Sequence, residues 1–247
     1  MNTSQLLVLL ILIPLTAISQ KKNTQRMAKL TYVTMQQTLD VATSDRRDAT
    51  IKMLNGVLEM AQEKEFIDKV NDHKNYLEKL EYFEIPKANV AILNDSLINA
   101  KNLVLEKVEN RYFVKPNKTL KKAIRKYKTG IYLYLFINES NNMYLELVNY
   151  TKGFNPLSME KATFKFDNKP FEYYLNLVKP GYDGIEFSTM ETNTENFIDL
   201  FTLIRNHQGT IMVDFSGEKR NRTKTLPQEM IDEIKNIFEL YSELKVE

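Results

Sequence analysis

Residues 131–150 read IYLYLFINESNNMYLELVNY, and this stretch decides the fold class. Ile131 to Ile137 is apolar or aromatic throughout and carries no charge. A run of that length and β-forming composition predicts a strand buried on both faces. Asn138 to Asn142 is turn material, and Met143 to Tyr150 reads as the returning strand. So short a link favours antiparallel pairing, because parallel neighbours need a long crossover.

Towards the C-terminus the period of two continues. Ala162, Phe164 and Phe166 alternate with Thr163 and Lys165, and a Pro-containing turn leads to Phe171, Tyr173, Leu175 and Leu177. Further strands are expected at Ile185–Ser188 and Thr210–Phe215. Between them, a helix from Thr194 places Phe197, Leu200, Phe201 and Ile204 on one face. Thr225 and Gln228 form a capping-box pattern. Met230, Ile231, Ile234, Ile237, Phe238, Tyr241 and Leu244 then give the clearest amphipathic stripe in the chain. Adjacent strand residues face opposite ways, so one of Tyr173 and Tyr174 is expected to look away from the core, where it would suit a ligand or partner.

Towards the N-terminus the period changes to 3.6. Ser44 is expected to cap a helix carrying Ile51, Leu54, Val57 and Leu58. Phe66, Val70, His73, Leu77 and Leu80 continue a helical seam, which Pro86 is expected to end. Val90, Leu93, Leu97, Ala100, Val104 and Val108 make another stripe, and the two predict an antiparallel helical hairpin. Residues 24–42 lean towards helix. The expected fold is therefore α+β: a helical N-terminal part, residues 20–110, then an antiparallel β-rich part, residues 129–247, covered by one or two helices.

The junction carries the strongest anomaly. No Asp or Glu occurs from Asn110 to Asn138, yet Arg111, Lys115, Lys118, Lys121, Lys122, Arg125, Lys126 and Lys128 lie there. The whole chain has a net charge of only +2. Leu120, Ala123, Ile124 and Tyr127 keep a helical period within it. Residues 111–128 thus read as a basic amphipathic helix linking the two parts, with Asn117 as its cap and Gly130 as its stop. A second basic cluster, Lys219, Arg220, Arg222 and Lys224, follows the last expected strand.

Residues 1–19 read as a secretory signal peptide. Leu6 to Leu15 is too short to span a bilayer as a helix, and Ala17-Ile18-Ser19 puts small residues at the −3 and −1 positions before Gln20. No cation precedes the apolar run, and Lys21-Lys22 follow it, against the usual charge bias. The expected location is periplasmic or extracellular.

Catalytic chemistry has few candidates. Zero Cys removes thiol nucleophiles, thiolate metal sites and disulfides together. The only histidines are His73, on the helical seam, and His207, just past an expected helix. Both read as structural. Neither the phosphate-binding glycine patterns nor a nucleophile elbow occurs. No cofactor and no metal is expected, and no residue is assigned a catalytic role. The leading expectation is an exported, non-enzymatic binding protein whose eight basic residues face an anionic lipid, an acidic polysaccharide or an acidic protein. Nucleic acid is disfavoured by the compartment and the near-neutral total charge. The alternatives are a secreted hydrolase working with two carboxylates and an envelope structural or assembly protein acting through the helical hairpin.

Overall fold

The computed structural model describes residues 3–38, 41–154, 157–167, 169–191, 193–217 and 220–246; side chains of residues 3–19 lie outside that description. Three helices come first: α1 (Thr3–Thr38), α2 (Ser44–Met60) and α3 (Lys64–Glu78). A 3-10 turn and the short helix α4 (Asp95–Ala100) lead into β1 (Leu103–Val108) and β2 (Arg111–Pro116). Helix α5 (Leu120–Tyr127) is followed by β3 (Thr129–Ile137), β4 (Met143–Lys152), β5 (Met159–Phe166), β6 (Lys169–Tyr174), β7 (Lys179–Pro180) and β8 (Ile185–Glu191). Helix α6 (Glu195–Asn206), β9 (Ile211–Gly217), β10 (Asn221–Thr225) and α7 (Gln228–Leu244) complete the chain.

The fold class is α+β, with helices first and two antiparallel sheets after them. One sheet has the order β1-β2-β3-β4-β8-β7, the other β10-β9-β5-β6. The 131–150 hairpin is the centre of the first, with Ile137 opposite Met143 and Ile131 opposite Asn149. Leu133, Leu135, Leu145 and Leu147 are buried on its inner face, and α7 packs along β3 with Ile234 and Ile237 buried. Ala162, Phe164, Val213 and Phe215 bury the inner face of the second sheet in the same core.

Several local expectations are corrected. The stripe from Val90 to Val108 is not a helix: it breaks into a 3-10 turn, α4 and strand β1, so the proposed second arm of the hairpin does not form. The packed helices joined by a short link are α2 and α3. Helix α3 ends at Glu78, well before Pro86. Residues 111–128 are not one helix, since Arg111 and Lys115 belong to strand β2 and only Leu120–Tyr127 is helical. Thr119, not Asn117, caps α5 through Lys122 N at 3.4 Å, and Gly130 lies within β3. Thr43 rather than Ser44 caps α2. No side-chain cap forms at α7, so the Thr225 pattern is unused. Arg220 immediately precedes β10, which carries Arg222 and Lys224; Lys219 lies outside the described residues. Finally, β3 is not buried on both faces, because Tyr134 and Phe136 are only half-buried.

The helical part docks on the second sheet through polar and aromatic contacts. His73 stacks on Tyr174 at 4.2 Å between ring centres, and Lys69 pairs with Glu160 at 2.5 Å. Tyr173, on the other side of the strand, is buried and donates to Asn149 Oδ1 at 2.6 Å. Of the two tyrosines, Tyr174 is the one that faces away from the β core, and it is half-buried under α3, stacked on His73.

Candidate functional site

Helix α5 is short, and its face pattern is strict. Ala123 is buried, and Leu120, Ile124 and Tyr127 are packed against the core of the β part. With 3.6 residues per turn this leaves Lys121, Lys122, Arg125 and Lys126 on the opposite side. Arg125 and Lys126 sit in the last turn, where the helix dipole favours positive charge.

The eight cations divide into two sets. Arg111 pairs with Glu109 at 3.2 Å and Glu139 at 3.3 Å, and Lys115 with Glu106 at 2.5 Å. Lys118, Lys126 and the Tyr127 hydroxyl all converge on Glu229 of α7. Hydrogen bonds from Lys118, Lys126 and Tyr127 hold the Glu229 carboxyl down at about 2. This hub ties α5 to α7 through Lys118 and Lys126. Lys121, Lys122, Arg125 and Lys128 are exposed, and among the described residues none of them has an ion-pair partner. The charge left for an external partner is this second set.

Beside α5 lies the outward face of the six-stranded sheet. The register places Phe113 opposite Phe136, Phe136 opposite Tyr144, and Tyr134 opposite Glu146. Phe113 and Phe136 are 5.0 Å apart between ring centres, and Phe136 and Tyr144 5.9 Å. A ladder of rings therefore crosses three strands on the side away from the core. Lys115 Nζ sits 5.0 Å from the Phe113 ring centre, and the Tyr134 hydroxyl donates to Glu146. Burial raises the Glu146 carboxyl above its usual range, and the Tyr134 hydrogen bond offsets part of that. Between this face and the start of α5 opens a cleft of about 480 Å³, lined by Val104, Phe113, Tyr132, Tyr134, Leu120 and Lys121 among others. At the other end of α5, Lys128 and Lys152 border an open hollow with the fully exposed Phe154.

Away from this face, four titratable side chains stand out by burial or by their contacts. His73 is buried and hydrogen-bonded to Tyr32 at 3.1 Å; burial, with Lys69 nearby, lowers its pKa to about 3. His207 follows α6, its Nδ1 3.9 Å from Asp167 and its carbonyl accepting from Lys235. The buried Glu186 accepts from the Leu157 and Met159 amides. Glu233, one turn beyond Glu229, is raised to about 6 by burial, with Lys118 opposing. Among the described residues no group of three or more His, Cys, Asp or Glu side chains could hold a metal ion, and no helix is long and apolar enough to cross a membrane.

Sequence reasoning isolated the basic segment but missed the aromatic cleft beside it. Val104 was expected on the buried stripe of a helix, yet it is 43% exposed on edge strand β1. The available signal was the alternation of Leu103-Val108 and Arg111-Pro116 around a two-residue link, Glu109-Asn110. Glu109 takes φ 56 there, where Asn or Gly is the usual choice, so the turn was disguised.

Comparison of the chain with protein-family models, with curated proteins and with solved structures finds no match.

Proposed function

We propose that this protein is an exported, non-enzymatic binding protein that engages an anionic surface through helix α5. One observation carries the reading: Lys121, Lys122 and Arg125 of α5, and Lys128 just past it, are exposed without ion-pair partners among the described residues, while the apolar side of α5 is packed into the core. A solvated helix of the usual mixed composition would intersperse carboxylates among those positions. Among the described residues, the acidic groups that pair with the segment come from outside it, and they take the other four cations. Export is supported by the leader pattern of residues 1–19.

The test of binding is sedimentation of the protein with anionic and neutral vesicles and with an acidic polysaccharide, across a range of salt. Screening acts over about 8 Å at physiological ionic strength, so binding is expected to weaken as salt rises. The variant Lys121→Glu/Lys122→Glu/Arg125→Glu should lose binding and keep its circular dichroism and melting temperature. Lys126 is left untouched, because reversing it would set a second carboxylate against Glu229. Equal retention of the variant and the wild-type protein on every polyanion would refute the reading. Mass spectrometry of the protein from its native host tests export, with Gln20 expected as the first residue.

A further inference from the structure

We infer that the anionic ligand is an acidic polysaccharide, held as an extended chain in the cleft between α5 and the outward face of β1–β3, with sugar rings against Phe113 and Tyr134 and carboxylates facing Lys121 and Arg125. This rests on the binding reading above and names the chemistry of its ligand.

The cleft combines two features that such a polymer needs together. Its floor is made of aromatic side chains, Phe113, Tyr132 and Tyr134, with Val104 at the edge. Rings of this kind offer a rigid apolar surface at low entropic cost, suited to the C–H faces of a pyranose, while the sugar hydroxyls keep their contact with water. Its wall carries Lys121, and Lys115 lines it too, paired with Glu106, so Lys121 is the lining charge that no carboxylate among the described residues neutralises. Arg125 follows Lys121 by four residues, so the two cations stand one above the other along α5 with a rise of about 6 Å. A linear polymer with one carboxylate on each sugar presents its charges as a comparable row. The floor is also pre-organised. Lys115 is fixed over Phe113 by its ion pair with Glu106, and the Tyr134 ring is fixed by its hydroxyl contact with Glu146.

The other polyanions fit less well. An interfacial helix binds lipid by burying its own apolar face, but Ala123 is buried in the core and Leu120 and Ile124 are packed against it. Lipid headgroups would therefore meet charge alone and leave the aromatic floor unused. An acidic peptide in extended form would seek free backbone amides. The floor rings Phe113, Tyr132 and Tyr134 stand on β2 and β3, which are paired on both sides, so the free edge of the sheet is that of β1, beyond the floor.

The test uses sodium polygalacturonate as the acidic chain, dextran as a neutral one, polyglutamate as an acidic peptide and phosphatidylglycerol vesicles as the lipid surface. Binding is read by calorimetry, and ring contact by saturation transfer from aromatic protons to sugar C–H protons. Polygalacturonate is expected to bind and dextran to fail. Tyr134→Ala should weaken polygalacturonate about tenfold, the change that corresponds to roughly 1.4 kcal/mol of lost ring contact. Val104→Asp places a negative charge at an exposed position in the cleft, so it should weaken binding at least as much while the protein stays folded. Polyglutamate and vesicle binding should be the same in both variants as in the wild type. The inference is overturned if both variants bind polygalacturonate as the wild type does, or if vesicles or polyglutamate bind and polygalacturonate does not. In those cases, loss of binding in the Lys121/Lys122/Arg125 reversal would leave the broader reading standing. Failure of every polyanion to bind would remove both.

Discussion

Helices α1–α3 and the two sheets close around separate cores, and they differ in what sits at the centre. In the helical core, His73 and Tyr32 share a hydrogen bond, and Gln25, Gln36 and Thr50 are buried beside Leu54, Val57 and Val70. In the β part, Leu133, Leu135, Ile234 and Ile237 fill the centre between α7 and β3, and buried polar groups such as Asn149, Ser188 and Glu186 are hydrogen-bonded. A small helical core has less apolar surface to bury, so a titratable ring occupies part of its middle. The difference teaches that the two parts should fail under different stresses. The β part should be sensitive to a charge placed in its interior, and the helical part to acid.

The largest effect should come from Ile234→Asp. The side chain is buried between α7 and the sheet, and a carboxylate there would have no partner. The expected loss is about 4 kcal/mol, a large share of the roughly 5–15 kcal/mol that holds a domain folded. Thermal and urea denaturation measure it. An unchanged melting temperature would show that α7 does not cover the core, and the comparison would collapse.

The next effect is a pH dependence. His73 has its folded pKa lowered from 6.5 to about 3, by burial first and Lys69 second. The unfolded chain therefore takes up a proton that the folded chain refuses. Stability from this group is complete above pH 6.5 and is lost as the pH falls towards about 3, with on the order of 3 kcal/mol of it gone by pH 4. Amide hydrogen exchange in α3 should report the loss before the sheets respond. His73→Phe keeps a ring against Tyr174 and should flatten the slope between pH 6 and pH 4. If the slope is the same in the variant, another group is responsible.

Glu233 supplies the smallest effect and sharpens the contrast from the other side. Its folded pKa is raised from 4.5 to about 6, so the folded chain holds a proton that the unfolded chain gives up. Stability from this group is present below pH 4.5 and is lost as the pH rises through 6. Glu233→Gln should then stabilise the β part at pH 7.5 by about 1 kcal/mol, after discounting for its half-exposed position, and change little at pH 4. Urea midpoints at the two pH values measure the difference; equal shifts at both would mean that the carboxyl is not titrating in this window.

Much of this architecture was legible wherever one pattern dominated. The uncharged run Ile131–Ile137, the alternation of Ala162, Phe164 and Phe166, and the stripe from Met230 to Leu244 each admit one reading, and each forms the expected element. Val90–Val108 admitted two, because a few apolar residues spaced by three or four can arise by chance in a segment that alternates. Only pairing chose between them. Val104 meets Lys115 and Leu105 meets Val114 across β1 and β2, contacts that no local period encodes.

The candidate site divides along the same line. Composition alone determined that a stretch without a carboxylate carries eight cations, since charge is a property of the chain. It could not determine which of them remain available, because Glu106, Glu139 and Glu229 reach them from other parts of the sequence. Glu229 is more than a hundred residues from Lys118 along the chain. The aromatic floor was likewise a tertiary decision. Strand geometry required Tyr134 and Phe136 to face away from Leu133 and Leu135, but whether another layer would cover them depended on where α5, α6 and α7 came to rest. Local sequence sets period and charge; the neighbours that bury a face or neutralise an ion arrive from far along the chain, and only the folded structure brings them together.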